Sequence, residues 1–186
     1  MALANKTKYA ILGALNHMPM SGYDFKKFSD NSITHFWNEN YARIYPVLKE
    51  MEKEGLVSKE TSQTEGRPSK NTYSITAKGR DELNLWLLEP AEERHLREEL
   101  LLKIFFAENV PRENLIDKLK TEKEKNQKYL EEYFHIEQFL TTDECTRNER
   151  GLPLWLATLN FGKHFRRGII AWCDETLKSL ESTDSG

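Results

Sequence analysis

Cysteine is scarce in this chain. Its 186 residues hold two, Cys145 and Cys173. That is too few for a disulfide framework, and they are too far apart for a zinc-ligand spacing, so a reducing, cytoplasmic setting is expected. Long apolar runs are absent too, and nothing approaches the roughly 18–20 residues of a membrane span. The most apolar early segment, residues 9–15 (YAILGAL), follows Lys6 and Lys8 but has no small-residue cleavage pattern after it. A buried helix accounts for it better than a secretion signal. Catalytic signatures are missing: there is no Gly-rich phosphate loop, no GxSxG elbow, and no carboxylate pair that stands out from the many solvated acids. His17, His35, His95, His135 and His164 are scattered, with no two at ligand spacing. The expectation is a protein that is not an enzyme and carries neither metal nor cofactor.

A surplus of positive charge is also lacking, since the chain carries −3 overall. Through Pro90 there are 12 Lys and Arg against 11 Asp and Glu; after it, 15 against 19. The informative charge is local. From Gly66 to Arg80 the sequence has Arg67, Lys70, Lys78 and Arg80 and no acid. A patch of that kind holds phosphates while the acidic half stays clear of them. A composition of 38% hydrophobic and 31% charged residues suits a folded, largely helical protein rather than a disordered one.

What is present is concentrated between Asn38 and Arg80. Ile44, Val47, Leu48 and Met51 recur at helical spacing and give one apolar face, leaving Arg43, Tyr45, Lys49 and Lys53 outside it. Gly55 supplies the left-handed residue that ends many helices. Two short runs follow, Leu56–Glu60 and Asn71–Ile75, joined by a loop with Gly66-Arg67-Pro68. In the second run Tyr73 and Ile75 alternate with Thr72 and Ser74, as in a half-buried strand. A helix beside a basic hairpin is the layout of a winged helix, which usually means DNA.

The flanking segments fit that layout. A first helix is expected over about Asn5–His17. Ser21 and Asp24 form a helix-start box for a second over about Gly22–Asn31. Phe36 and Trp37, in the connection to the third helix, read as core plugs rather than a ligand site. Pro46 costs one internal bond if the third helix starts near Tyr41, and little if it starts near Ala42 or Arg43. Thr76 caps a fourth helix over about Ala77–Leu88, and Pro90 closes a first domain, residues 1–90.

Residues 91–186 read as a helical dimerisation domain. Leu96–Glu108 is an apolar helix with Leu100, Leu101, Ile104 and Phe105 as its core. Pro111 opens a long helix in which Leu115, Leu119, Glu122, Asn126, Tyr129, Tyr133, Ile136 and Leu140 follow steps of four and three. Glu122 and Asn126 interrupt that seam, so its middle is either solvated or sets register. A last helix over about Pro153–Ser179 carries Trp155, Phe161, Phe165, Ile169 and Trp172. Two long helices with wide apolar faces find a partner in a second copy, or else fold against the first domain. A homodimer is the expectation, because two DNA half-sites need a two-fold axis. The fold class is therefore mainly α with a small β-wing: a winged helix-turn-helix domain plus an α-helical dimerisation domain.

The segments KYAILGAL, SGYDF, RIYPVLKEMEKEGLV and YSITAKGRDEL resemble the amino-terminal winged helix of PadR-type transcriptional regulators. LREELLLKIFFAE resembles the start of that family's longer carboxy-terminal dimerisation region, shared with AphA-like virulence activators. The resemblance implies a homodimeric, ligand-responsive transcription factor, most often a repressor, with its third helix in the major groove of operator DNA and its wing near phosphates or a minor groove. By position, Tyr41 to Tyr45 correspond to the family's reading residues, Tyr45-Pro46 to its Tyr-Pro signature, and Gly66, Arg67 and Lys70 to its wing tip. The phenolic-acid repressors of the family release DNA when a small aromatic acid binds between the two domains; this inducer does not carry over by sequence.

The DNA-binding candidates are Asn40, Tyr41, Arg43, Tyr45, Lys49, Arg67, Lys70 and Lys78. Arg43 suits a guanine edge; Lys49 suits a phosphate, which positions without specifying. Tyr45 suits either DNA or the helix-to-helix core. Lys78 and Arg80 oppose the dipole of the fourth helix, which favours a phosphate role. Candidate ligand contacts are Tyr23, Trp37, Trp155, His164 and Trp172, although an aromatic stripe at helical spacing is more often dimer core. The rival class is a protein-interaction adaptor that uses the winged helix for docking, and the acidic total charge speaks for it.

Overall fold

The computed structural model describes residues 6–37, 41–63, 69–93 and 97–182. In chain order the elements are α1 (Thr7–Leu15), α2 (Gly22–Asn31), α3 (Tyr41–Lys53), β1 (Val57–Ser62), β2 (Lys70–Ile75), α4 (Ala77–Leu88), α5 (Glu99–Phe105), α6 (Arg112–Thr142) and α7 (Leu152–Ser182). They divide into two units, residues 1–93 and 94–186. The expected class, mainly helical with a small wing, is the observed one.

Local chemistry sets the element ends in the first unit. Ser21 accepts from Asp24 N while Asp24 Oδ2 accepts from Ser21 N, so the start of α2 is a closed capping box; such caps contribute about 1 kcal/mol. At the end of α3, Gly55 sits at φ +72°. Leu56 N donates to Met51 O and Gly55 N to Glu52 O, the paired bonds of a Schellman stop, with Leu56 and Met51 both in the core. α1 is shorter than expected, because the backbone N–H groups of His17 and Met18 both turn back to Ala14 O.

β1 and β2 are antiparallel, in a register running from Val57 opposite Ile75 to Ser62 opposite Lys70. Tyr73 and Ile75 are buried while Thr72 and Ser74 are half-buried, as the alternation requires. Beyond Val57 every residue of β1 is exposed, so the hairpin leaves the core and projects as a wing. Its base is anchored by Met20 and Tyr73, which exchange backbone bonds of 3.1 and 2.9 Å. Ile11, Leu12, Phe25, Ile44, Leu48 and Met51, each at 0–1% exposure, centre the core of this unit.

Thr76 caps α4 through Gly79 N, and Gly79 lies against the backbone of Leu56, the residue before β1. A Cβ at position 79 would stand 2.2 Å from Leu56 O. Gly79→Ala is therefore expected to lower stability by about 1–3 kcal/mol or more, read as a fall in Tm. An unchanged melt would show that helix and strand do not approach this closely.

In the second unit α6 and α7 pack against each other. Leu119, Cys173 and Leu177 are buried, with Ile104, Ile116, Ile169, Trp172 and Leu180 around them. The seam read from sequence faces α7, and Leu119, Asn126 and Tyr133 are its buried members. Its middle is not solvated. Asn126 is fully buried, donates to Glu122 O and Oε1 at 2.7 Å, and accepts from Arg166 Nη1 at 3.0 Å. The Arg166 guanidinium also lies 4.4 Å from the Tyr129 ring centre. Lys163, 7% exposed, pairs with Glu137 at 2.6 Å. A one-turn slip would strand each of these groups, so the polar layers set register.

α5 corrects one expectation. It spans seven residues and buries none of them; Leu101 is 42% exposed and Phe105 81%. Ile104 packs on the Leu119 cluster. The apolar period is present, but among the described residues of the second unit no surface covers it.

Candidate nucleic-acid interface

Helical geometry decides what α3 can present. With Ile44, Val47, Leu48 and Met51 turned into the core, the outward arc comprises Ala42, Arg43, Tyr45, Pro46, Lys49 and Glu50, all exposed. At about 100° per residue, Arg43 and Glu50 fall along one edge of that arc and Tyr45 and Lys49 along the other. An opposite-edge pair suits a groove, whose two walls differ, better than a flat partner. α3 starts at Tyr41, so Pro46 lies inside it and forgoes one internal bond.

Tyr45 takes part in the helix-to-helix packing and also keeps an exposed face. Its ring packs on Gly22, where a Cβ would come within 2.9 Å of it, yet the residue is 45% exposed. Asn40 and Arg67 lie outside the described residues, as does Gly66, and so does the side chain of Tyr41.

Lys70 and Lys78 are engaged. Lys78 Nζ donates to Glu54 O at 2.7 Å, placing a cation at the C-terminal end of α3, where the dipole favours one. Its charge thus has a structural purpose that the dipole of α4 alone did not suggest. Lys70 Nζ lies 2.8 Å from Asp24 Oδ2. That ammonium, followed by the Ser21 hydroxyl and backbone N–H, holds the Asp24 carboxyl down to about 2. Sequence reading used Asp24 as a helix cap and missed it as the lysine's partner. The sequence carried the capping signal but none for a pairing across 46 positions.

The ligand candidates are distributed over both units. Tyr23 is 64% exposed and Trp37 half-buried in the first. In the second, Trp155 packs over Gly151, Trp172 joins the Leu119 cluster, and His164 is exposed. Trp155 and His164 are about two and a half turns apart, so they leave α7 on opposite sides. Among the described residues no group of three or more His, Cys, Asp or Glu could hold a metal ion, and no helix is long and apolar enough to cross a membrane.

A helix-turn-helix whose third helix seats one face in the core and presents the other, followed by an anchored hairpin, defines a winged-helix fold. Residues 11–85 match the transcriptional regulator PadR-like family, and residues 96–181 match the virulence activator alpha C-terminal family. The negative transcriptional regulator PadR of Bacillus subtilis is 33% identical over 122 residues, 64% of this chain and 66% of that protein. The structure of Bacillus subtilis PadR with operator DNA superposes with a TM-score of 0.82 at 24% identity, covering 93% of this chain and 98% of that one. That protein has also been solved with p-coumaric acid (TM-score 0.76, 24% identity, covering 94% and 98%). The Vibrio cholerae virulence activator AphA gives 0.72 at 28% identity, covering 95% and 99%. The chain belongs to the PadR-like family of transcriptional regulators, with an AphA-like carboxy-terminal region.

Proposed function

We propose that the protein binds operator DNA as a homodimer and represses transcription until a small molecule releases it. The outward arc of α3, seated on the fully buried Ile44 and nearly buried Leu48 and Met51, carries this reading. Arg43 reads a base edge, Tyr45 and Lys49 meet the opposite groove wall or its phosphates, and the wing adds Arg67 and Lys70 to the backbone. Residues 1–90 act as the reader and 91–186 as the pairing region. A second copy is the partner of the exposed Phe105, Phe106, Phe161 and Phe165.

The two Bacillus subtilis PadR structures, one with operator and one with p-coumaric acid, support an inducer-coupled cycle. A ligand acts here by preferring a dimer with a different half-site spacing, and it weakens binding by no more than its differential affinity for the two states. Tyr23, Trp37, Trp155, His164 and Trp172 are the proposed ligand contacts. Because Trp155 and His164 leave α7 on opposite sides, one pocket takes only one of them from a given α7.

Anisotropy with a random-sequence duplex at low salt tests the DNA reading. Retention that falls steeply with salt is expected. Arg67→Ala with Lys70→Ala weakens binding to every duplex alike and flattens the slope, by less than the roughly 2 of two free cations because Lys70 is paired with Asp24. No retention at low salt would overturn DNA binding and favour a protein-docking adaptor, consistent with the net charge of −3.

A further inference from the structure

We propose that Asp24 on α2 sets how much phosphate charge the wing neutralises, by holding Lys70 in an ion pair that a duplex must break. This deepens the DNA-binding reading and rests on it. Lys70 opens β2, opposite Ser62 at the outer end of the ladder. From there its ammonium turns back to the start of α2 and meets Asp24 Oδ2 at 2.8 Å.

The carboxylate is fixed where it stands. The same oxygen accepts from Ser21 N at 3.1 Å and Ser21 Oγ at 2.8 Å, and Ser21 itself is 8% exposed. The hairpin is fixed as well, through the Met20–Tyr73 bridge at its base. Asp24 therefore cannot follow Lys70 outward: an ammonium that reaches a phosphate leaves a bare carboxylate behind it. Both side chains stay open to solvent, 57% and 40% exposed, so the pair is weak enough for a phosphate to compete. The result is tuning rather than a block. This part of the wing meets the duplex as a nearly neutral pair, and its share of counterion release falls well below the roughly 0.9 per neutralised phosphate of a free lysine.

The test compares Asp24→Asn, Lys70→Gln and the double variant. Asn keeps an oxygen for Ser21 N–H, and a thermal melt verifies that α2 stays capped. On random duplex, Asp24→Asn is expected to bind about 3- to 10-fold tighter at low salt, with a log–log slope steeper by about 1. Lys70→Gln in the Asp24→Asn background is expected to erase that gain. Equal or weaker binding by Asp24→Asn, or a gain that survives Lys70→Gln, overturns the proposal while the functional reading stands. A wild-type protein that binds no duplex overturns both.

A DNA-free measurement separates the contact from its consequence. By NMR, the Asp24 carboxyl of the wild type should titrate near about 2 and move up toward the ordinary 3.8 in Lys70→Gln. A midpoint that Lys70→Gln leaves in place removes the tether whatever the duplex assays show.

Discussion

Arg43→Ala is expected to abolish sequence preference and to leave the oligomeric state unchanged. Arg43 is the sole arginine of α3, it is exposed, and its neighbour Ile44 carries the packing at 0% exposure. Truncating it removes no core contact, so the melt should not move. A guanidinium forked onto a guanine contributes about 1–3 kcal/mol of discrimination, equivalent to roughly 5- to 150-fold. Anisotropy with a selected duplex and its scrambled counterpart should show that ratio collapsing mainly through weaker operator binding. Unchanged selectivity would pass the reading role to the Tyr45–Lys49 edge of the helix.

The second large effect is expected from Phe161→Glu combined with Phe165→Glu. The two rings stack at 6.3 Å on α7, 57% and 43% exposed. Within one chain the change costs the packing of the Arg166 guanidinium over the Phe165 ring at 5.5 Å, while Arg166 keeps Asn126 and the Tyr129 ring, so the α6–α7 pair should persist by circular dichroism. Placed at an interface between copies, two carboxylates per chain would be desolvated without partners. The variant should sediment as a monomer. Losing the second half-site should then reduce operator affinity by about 10²–10⁴-fold. A variant that remains dimeric would move the interface to α5 and its exposed Phe105 and Phe106.

How far the sequence foretold these features depended on how local their causes are. α2 was bounded correctly because Ser21 and Asp24 are three residues apart and form a self-contained cap. Gly55 and the Tyr73–Ile75 alternation were equally local, and the structure has both. Contacts between distant segments left no such trace. The Lys70–Asp24 pair and the Lys78 bond to Glu54 O depend on how the wing and α4 return to the preceding helices.

Gly79 shows the same limit: its lack of a side chain makes sense only beside Leu56 O. Asn126 was visible as a break in the seam, but the arginine that satisfies it lies on the next helix. For α5 the period predicted a burial that the structure does not show, since apolar spacing does not say what surface will cover it. The opposite directions of Trp155 and His164 were available from spacing alone, once both were placed on one helix.

The most direct test of the central claim is enrichment of bound fragments from random duplex DNA with the purified protein, followed by the stoichiometry of the selected complex. The expected result is a palindrome whose half-sites are centred about one helical turn apart, or a multiple of it, bound by two protomers. A selected site without two-fold symmetry, or one occupied by a single chain, would contradict it.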